Sequence, residues 1–452
     1  MLVQNMPLPQ EPVVRNGAFF VRLLLFVTLG GAAGAQTAAH PLNAPPLEHA
    51  HVYTFDQFYL PEDDDVFVTE GGLLLLAELN CAACHAAPKP WEDLIGPKPG
   101  PRLQGAGSRL DMDALWRLLR SPQHRKPGTQ MPGLFAADDE SAPDQIEAIV
   151  TYLSQFKAAL PEPPPANAER GKQLYHSIGC VACHEPGADY RPASLPPNAD
   201  LESPSLASVP IALADDYSLA ALTAFLLDPL ASHPASRMPA QHLSSQEAAD
   251  LAAYLHTGQT PAAFQERRIL NLPAQTAERG RELFARHRCT ACHETGEALP
   301  SAARLPSLSE LKPDAKTGCL SGEVRTGIPR HDLSPLQTRA LRLALGLVQK
   351  QGAPRLEPAQ QLSHHLARLN CYACHDHDGR GGPEIARAPY FSSTLRLRPK
   401  DDIQGRPPSL DAVRSNHDKN SLRKRLTAAE ENPPPGTRMP RFTPEAVSPL
   451  LE

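Results

Sequence analysis

Four short stretches of the chain place two cysteines three residues apart with a histidine directly after the second. They are Cys81-Ala-Ala-Cys84-His85, Cys180-Val-Ala-Cys183-His184, Cys289-Thr-Ala-Cys292-His293 and Cys371-Tyr-Ala-Cys374-His375. Cysteines at i and i+3 share one helical face, and a histidine at i+4 from the first lies on that face too. Two thiols and one imidazole then point at a single flat object. A zinc ribbon would need two such pairs to converge on one ion, but here the pairs lie far apart, each with its own helical pattern. A thioredoxin-like redox pair needs a βαβ setting, and no run of alternating strands occurs. The spacing fits covalent haem attachment, with two thioethers to the vinyl groups and the histidine as proximal iron ligand. Four motifs imply four covalently bound haem c groups.

The elements that position these motifs follow from internal similarity. The stretches AERGKQLYHSIGCVACHEPG (Ala168–Gly187) and AERGRELFARHRCTACHETG (Ala277–Gly296) agree at 11 of 20 positions, and LAELNCAACH (Leu76–His85) pairs with LARLNCYACH (Leu366–His375). Each motif is approached through an amphipathic helical pattern, such as Leu174 and Ile178 at i, i+4. A second helix closes three of the segments, over Asp144–Phe156, Ser244–His256 and Leu333–Leu347. The fourth has no room for one before Glu452. Proline-rich stretches, Pro161-Glu162-Pro163-Pro164-Pro165 and that around Pro354 and Pro358, read as linkers. The expected fold is all-α, with a signal peptide over 1–35, an N-terminal linker over 36–60, and four tandem haem-carrying units over 61–160, 161–265, 266–352 and 353–452. Its 452 residues suit three or four domains.

Methionines supply a second set of ligands. Only six occur, and three stand before proline downstream of a motif: Met131 in GTQMPGLF, Met238 in ASRMPAQH and Met439 in GTRMPRF. The following proline pushes each methionine into an extended loop, from which a thioether reaches across a haem. Methionine opposite histidine raises the potential, which suits electron transfer.

Composition limits the remaining classes. Net charge is −6 with interleaved signs, so no nucleic-acid footprint is present. Acidic residues predominate over 61–160 and basic ones over 353–452. Eight of nine cysteines lie in the motifs, which leaves Cys319 and no material for a disulfide framework. Arg15 and Arg22, an apolar run Leu23–Leu29 and the small residues Gly30–Ala35 form an export signal. The expected location is periplasmic, with an uncleaved anchor as the lesser alternative and no later membrane span. Partners would be periplasmic or membrane-bound redox proteins.

A helix, Cys-x-x-Cys-His, a loop carrying Met-Pro and a closing helix resemble class I cytochrome c domains, so the chain resembles a multihaem c-type cytochrome built from four of them. GPRLQGAGSRLDMDALWRLLRSPQHRKPGTQMPGLF (Gly100–Phe135) and SLAALTAFLLDPLASHPASRMPAQHLSSQEAADLAAYL (Ser218–Leu255) are similar to the middle and end of such domains. The resemblance implies that His85, His184, His293 and His375 are proximal ligands.

The third unit departs from this pattern. Aligning RMPAQHLSSQEAADL with GIPRHDLSPLQTRAL puts Ile328 where Met238 stands, and isoleucine cannot bind iron. Cys319 is the leading sixth ligand expected for the third haem, since thiolate binds iron strongly; His331 and an open site are the alternatives. Two functions remain: an electron relay, or a haem enzyme with chemistry at the third haem. Cys/His ligation would resemble thiosulfate-oxidising cytochromes, and an open iron would resemble dihaem peroxidases.

Overall fold

The computed structural model describes residues 47–195, 208–209, 211, 214–256, 276–299, 305–314, 318–321, 325–350, 356–391, 407–428 and 436–451. The expected signal peptide and the stretch around Pro354 lie outside them. The helices that matter below are α1 (Asp65–Glu78), α2 (Met112–Arg120), α3 (Ala142–Ser154), α4 (Ala168–Tyr175), α5 (Leu219–Leu227), α6 (Ser245–Leu255), α7 (Thr276–Arg286), α8 (Pro335–Gln349), α9 (Pro358–Arg368), α10 (Lys419–Thr427) and α11 (Pro444–Val447). Among the described residues the only strands are a two-residue antiparallel pair, Asp376–His377 with Arg380–Gly381. The fold is therefore all-α, and no described helix is long and apolar enough to cross a membrane.

Local chemistry sets where these helices start. Asp64, Asp111 and Ser218 accept from the third backbone N–H of α1, α2 and α5. Ser244 with Glu247, and Ser334 with Gln337, form reciprocal capping boxes on α6 and α8. Each cap satisfies donors the helix cannot satisfy itself and contributes about 1 kcal/mol.

Helix pairing follows a repeated crossing. α4, which leads into the second motif, packs against α6 within the same segment. Gly171 makes the close approach possible, because a Cβ there would run into the Asp250 carbonyl. One turn on, Tyr175 faces Tyr254 with ring centroids 5.5 Å apart. The same crossing recurs twice between helices that are distant in sequence. α1, leading into the first motif, packs on α8, with Gly72 against the Ala340 carbonyl. α7, leading into the third motif, packs on α3, with Gly280 against the Ala148 carbonyl and Phe284 facing Tyr152 at 5.8 Å.

These partners differ from the sequence expectation. The helix around Asp144–Phe156 lies on the helix of the third motif, and the helix around Leu333–Leu347 lies on that of the first. Side-chain size accounts for the choice. α1 offers Gly72 and a wholly buried run Leu73–Leu76 to the small and aliphatic face Ala340, Leu341, Ala344 and Leu345 of α8. α7 offers an aromatic to an aromatic. Each of these buried leucines contributes about 2 kcal/mol, and a mismatched crossing would leave voids or clashes.

The fourth segment does close, contrary to expectation. α11 and the single 3-10 turn Ser448–Leu450 pack with α9 and α10, burying Phe442, Val447 and Leu451 against Leu369, Leu422 and Leu426. A four-residue helix suffices because α9 also leans on α1.

Candidate haem sites

The four motifs share one backbone design. A residue with positive φ ends the leading segment: Asn80 at 59°, Gly179 at 111°, Arg288 at 60° and Asn370 at 55°. The chain then makes one 3-10 turn over the first three motif residues. The histidine N–H returns to the carbonyl of the first cysteine, at 3.0 Å for His85, 3.1 Å for His184, 2.9 Å for His293 and 2.8 Å for His375. This closed turn presents both thiols and the imidazole on one side. None of the eight motif cysteines is paired in a disulfide.

Each imidazole is held by a main-chain carbonyl. His85 Nδ1 donates to Pro306, His184 Nδ1 to Val209, His293 Nδ1 to Pro101 and His375 Nδ1 to Pro408, all at 2.7 Å. A carbonyl only accepts, so the proton sits on Nδ1 and Nε2 keeps its lone pair. No Nε2 of the four bonds to any described residue. This is the tautomer and orientation that an iron ligand requires. Burial holds His184, His293 and His375 below the usual imidazole range, which favours the neutral, ligating form. A second bond locks three loops in place: Leu308 N–H donates to Ala86 O at 3.0 Å, Leu103 to Glu294 at 2.7 Å and Leu410 to Asp376 at 2.8 Å. These carbonyl acceptors were not anticipated from sequence, although the recurring Pro101-Arg102-Leu103, Pro306-Ser307-Leu308 and Pro408-Ser409-Leu410 would have revealed three of them.

The thiols are dry. Burial pushes Cys81, Cys180, Cys289 and Cys371 up to about 12, so they stay protonated at neutral pH. That environment suits the apolar edge of a porphyrin and not a thiolate centre. Among the described residues, no three His, Cys, Asp or Glu side chains converge to hold a bare metal ion. The residues present fit haem c.

The loops carrying Met131, Met238, Ile328 and Met439 also share a design. Each has a hydroxyl residue two positions earlier; Met131 N–H donates to Thr129 Oγ1 at 3.2 Å and Met238 N–H to Ser236 Oγ at 3.0 Å. The loops join in pairs, two residues past the methionine position. Gly133 bridges Arg330 with N···O distances of 2.8 and 2.9 Å, and Ala240 bridges Arg441 at 3.4 and 2.9 Å. The Ile328 loop is therefore the structural equivalent of the methionine loops. Met238 packs into the same apolar cluster as Tyr175, Ile178 and Cys180.

Residues 168–259 match the family model for Cytochrome c. No curated protein and no solved structure matches the chain. The matched stretch holds the second motif, Met238 and the α4–α6 crossing, so this part of the chain is a c-type cytochrome domain, with the haem binding and electron transfer that the family implies.

The cytochrome c domain does not stand alone. Arg387, fully buried, donates to the carbonyls of Val181 at 2.7 Å and His184 at 2.9 Å and to Ser208 Oγ at 2.7 Å. It fixes the fourth motif's segment against the second. Cys183 and Cys374 share one small cluster with Tyr53, Ala182, Ala373 and Phe391. On the other side, Asn80 Nδ2 lies 3.4 Å from Cys292 Sγ, so the first and third motifs also adjoin. Glu78, 2% exposed, ties the two groups together through Lys98 at 3.0 Å, Arg368 at 3.7 Å and Arg237 at 3.8 Å. Cys319, expected beside the third motif, instead lies within electrostatic reach of Cys81 and Cys84. The other sequence candidate, His331, is held down to about 4 by burial, and its Nδ1 has no hydrogen-bond partner among the described residues.

Proposed function

We propose that the chain is an exported, periplasmic tetrahaem c-type cytochrome that relays electrons between redox proteins through four covalently bound haems. The observation that carries this reading is the fourfold recurrence of one turn, with paired thiols and an imidazole whose Nδ1 is bonded to a carbonyl at 2.7 Å. Haem iron so held supplies a one-electron couple. The chain's own part is to fix each imidazole, to exclude water with apolar clusters, and to offer Met131, Met238 and Met439 as thioether ligands. Adjacent motifs, first beside third and second beside fourth, suit transfer over short distances. Docking would be to periplasmic or membrane-bound redox partners.

Mass spectrometry of the purified, denatured protein tests this reading. The expected mass is that of the chain without residues 1–35 plus four haems, and acid–acetone extraction leaves the colour with the protein. A lower haem number refutes the tetrahaem state, and retention of residues 1–35 refutes cleavage of the signal.

A further inference from the structure

We propose that the first and third haem domains exchange their second halves, so that Met131 ligates the iron held by His293, while Ile328 occupies the methionine position of the iron held by His85. This inference rests on reading the motifs as haem sites.

The stretch matched to cytochrome c gives the template. There one segment contains a leading helix, the motif, a carbonyl that holds the histidine, the Met238 loop and a closing helix that crosses the leading helix at Gly171. The methionine loop runs directly into that closing helix. Whichever closing helix crosses a leading helix therefore brings its own methionine position to that haem.

Three features apply this rule to the other two sites in the same sense. The crossing glycine of the third motif's helix, Gly280, meets Ala148 of α3, the helix that follows Met131; Gly72, before the first motif, meets Ala340 of α8, which follows Ile328. The imidazole carbonyls cross over as well: His293 is held by Pro101, upstream of Met131, and His85 by Pro306, upstream of Ile328. So do the backbone bonds of the residues after each histidine, Glu294 to Leu103 and Ala86 to Leu308. Cores agree with this division. Cys289 packs with Leu115, Ile146 and Ile149, whereas Cys81 belongs with Leu341, Leu345 and Leu320, the neighbour of Cys319.

The consequence reverses which haem is exceptional. The first haem, not the third, lacks a methionine, and Leu320, the neighbour of Cys319, packs in the cluster of Cys81. It also means that the domain of the first motif cannot close until the chain has been made as far as α8, so the first motif waits for residues that follow the third.

Removing one haem at a time from the full-length protein tests the exchange. Near-infrared magnetic circular dichroism counts methionine-ligated haems, and the parent protein is expected to show three, from Met131, Met238 and Met439. With Cys289→Ser and Cys292→Ser the count falls to two. With Cys81→Ser and Cys84→Ser it stays at three. The opposite pattern overturns the exchange while leaving the relay intact; a parent haem number below four, read by mass, counts against the relay reading instead. A second measurement needs no haem-deficient variant: a protease site is placed within residues 161–166 of the complete holoprotein. After cleavage the two pieces are expected to co-elute under native conditions, since α1 grips α8 and α3 grips α7. Release of an N-terminal piece with its own methionine-ligated haem overturns the proposal.

Discussion

Gly72 lies directly against the backbone carbonyl of Ala340, although the two residues belong to helices on either side of the second and third motifs. The contact fixes how closely α1 and α8 approach, and thereby where the first motif sits. Gly72→Val inserts a branched side chain where a methyl would already collide. Overpacking of this kind costs about 1–3 kcal/mol. A Cβ added at Gly346, on the same helix as Ala340, would meet nothing within 4 Å among the described residues, so Gly346→Ala gains about 1 kcal/mol of helix propensity. Thermal melts of the two holoproteins are expected to move in opposite directions.

Glu78 is a carboxylate buried among three cations from three parts of the chain. Burial works to raise it, but Lys98, Arg237 and Arg368 outweigh burial and hold it below its ordinary value of 4.5. A group lowered on folding contributes stability that is present above that ordinary value and is lost as pH falls through the folded one. Glu78→Gln leaves the cations uncompensated and is expected to cost about 3 kcal/mol at neutral pH. Denaturant titrations at neutral and acid pH check both points: the gap between parent and variant narrows as pH falls below 4.5.

The motifs, the methionine loops and the helices were legible in the sequence because each depends on residues close together along the chain. A Cys-x-x-Cys-His turn, a Met-Pro loop and a capping box such as Ser334–Gln337 are local statements. Which closing helix meets which leading helix is not local. The choice depends on a match of small with small at Gly72 and Ala340, and of aromatic with aromatic at Phe284 and Tyr152. A glycine nine positions before the first cysteine, at Gly72, Gly171 and Gly280, marks the crossing, but periodicity alone cannot say what crosses there. Cys319 was placed by chain order beside the third motif for the same reason.

Arg387 has no counterpart in a single cytochrome c domain, because two of its acceptors, the Val181 and His184 carbonyls, belong to another motif. Arg387→Ala leaves these carbonyls and Ser208 without their donor in a dry site, at a cost of about 3 kcal/mol. Arg387→Lys keeps the charge but cannot span the same acceptors with one ammonium, so it is expected to recover less than half of that loss. Hydrogen exchange across residues 180–185 and 371–375 reads the effect locally. Unchanged protection in both variants would show that the two motifs are held together by other contacts.

Met238 offers the sharpest test of a single ligand, since its motif, loop and closing helix all lie within the stretch that matches cytochrome c. Its thioether belongs to the same apolar cluster as Tyr175, Ile178 and Cys180, which supports the proposal that it ligates the iron held by His184. Thioether ligation raises the potential of a histidine-bound haem and fills the sixth position. Met238→Ala is therefore expected to lower the potential of one haem and open that iron alone to carbon monoxide, while the remaining haems keep their potentials. Met238→His should keep the iron six-coordinate and closed to carbon monoxide, but with a lower potential than methionine gives. A redox titration with and without carbon monoxide separates these outcomes. If Met238→Ala leaves the titration unchanged and admits no carbon monoxide, Met238 is a core residue, and the sixth position of the second haem belongs to another side chain.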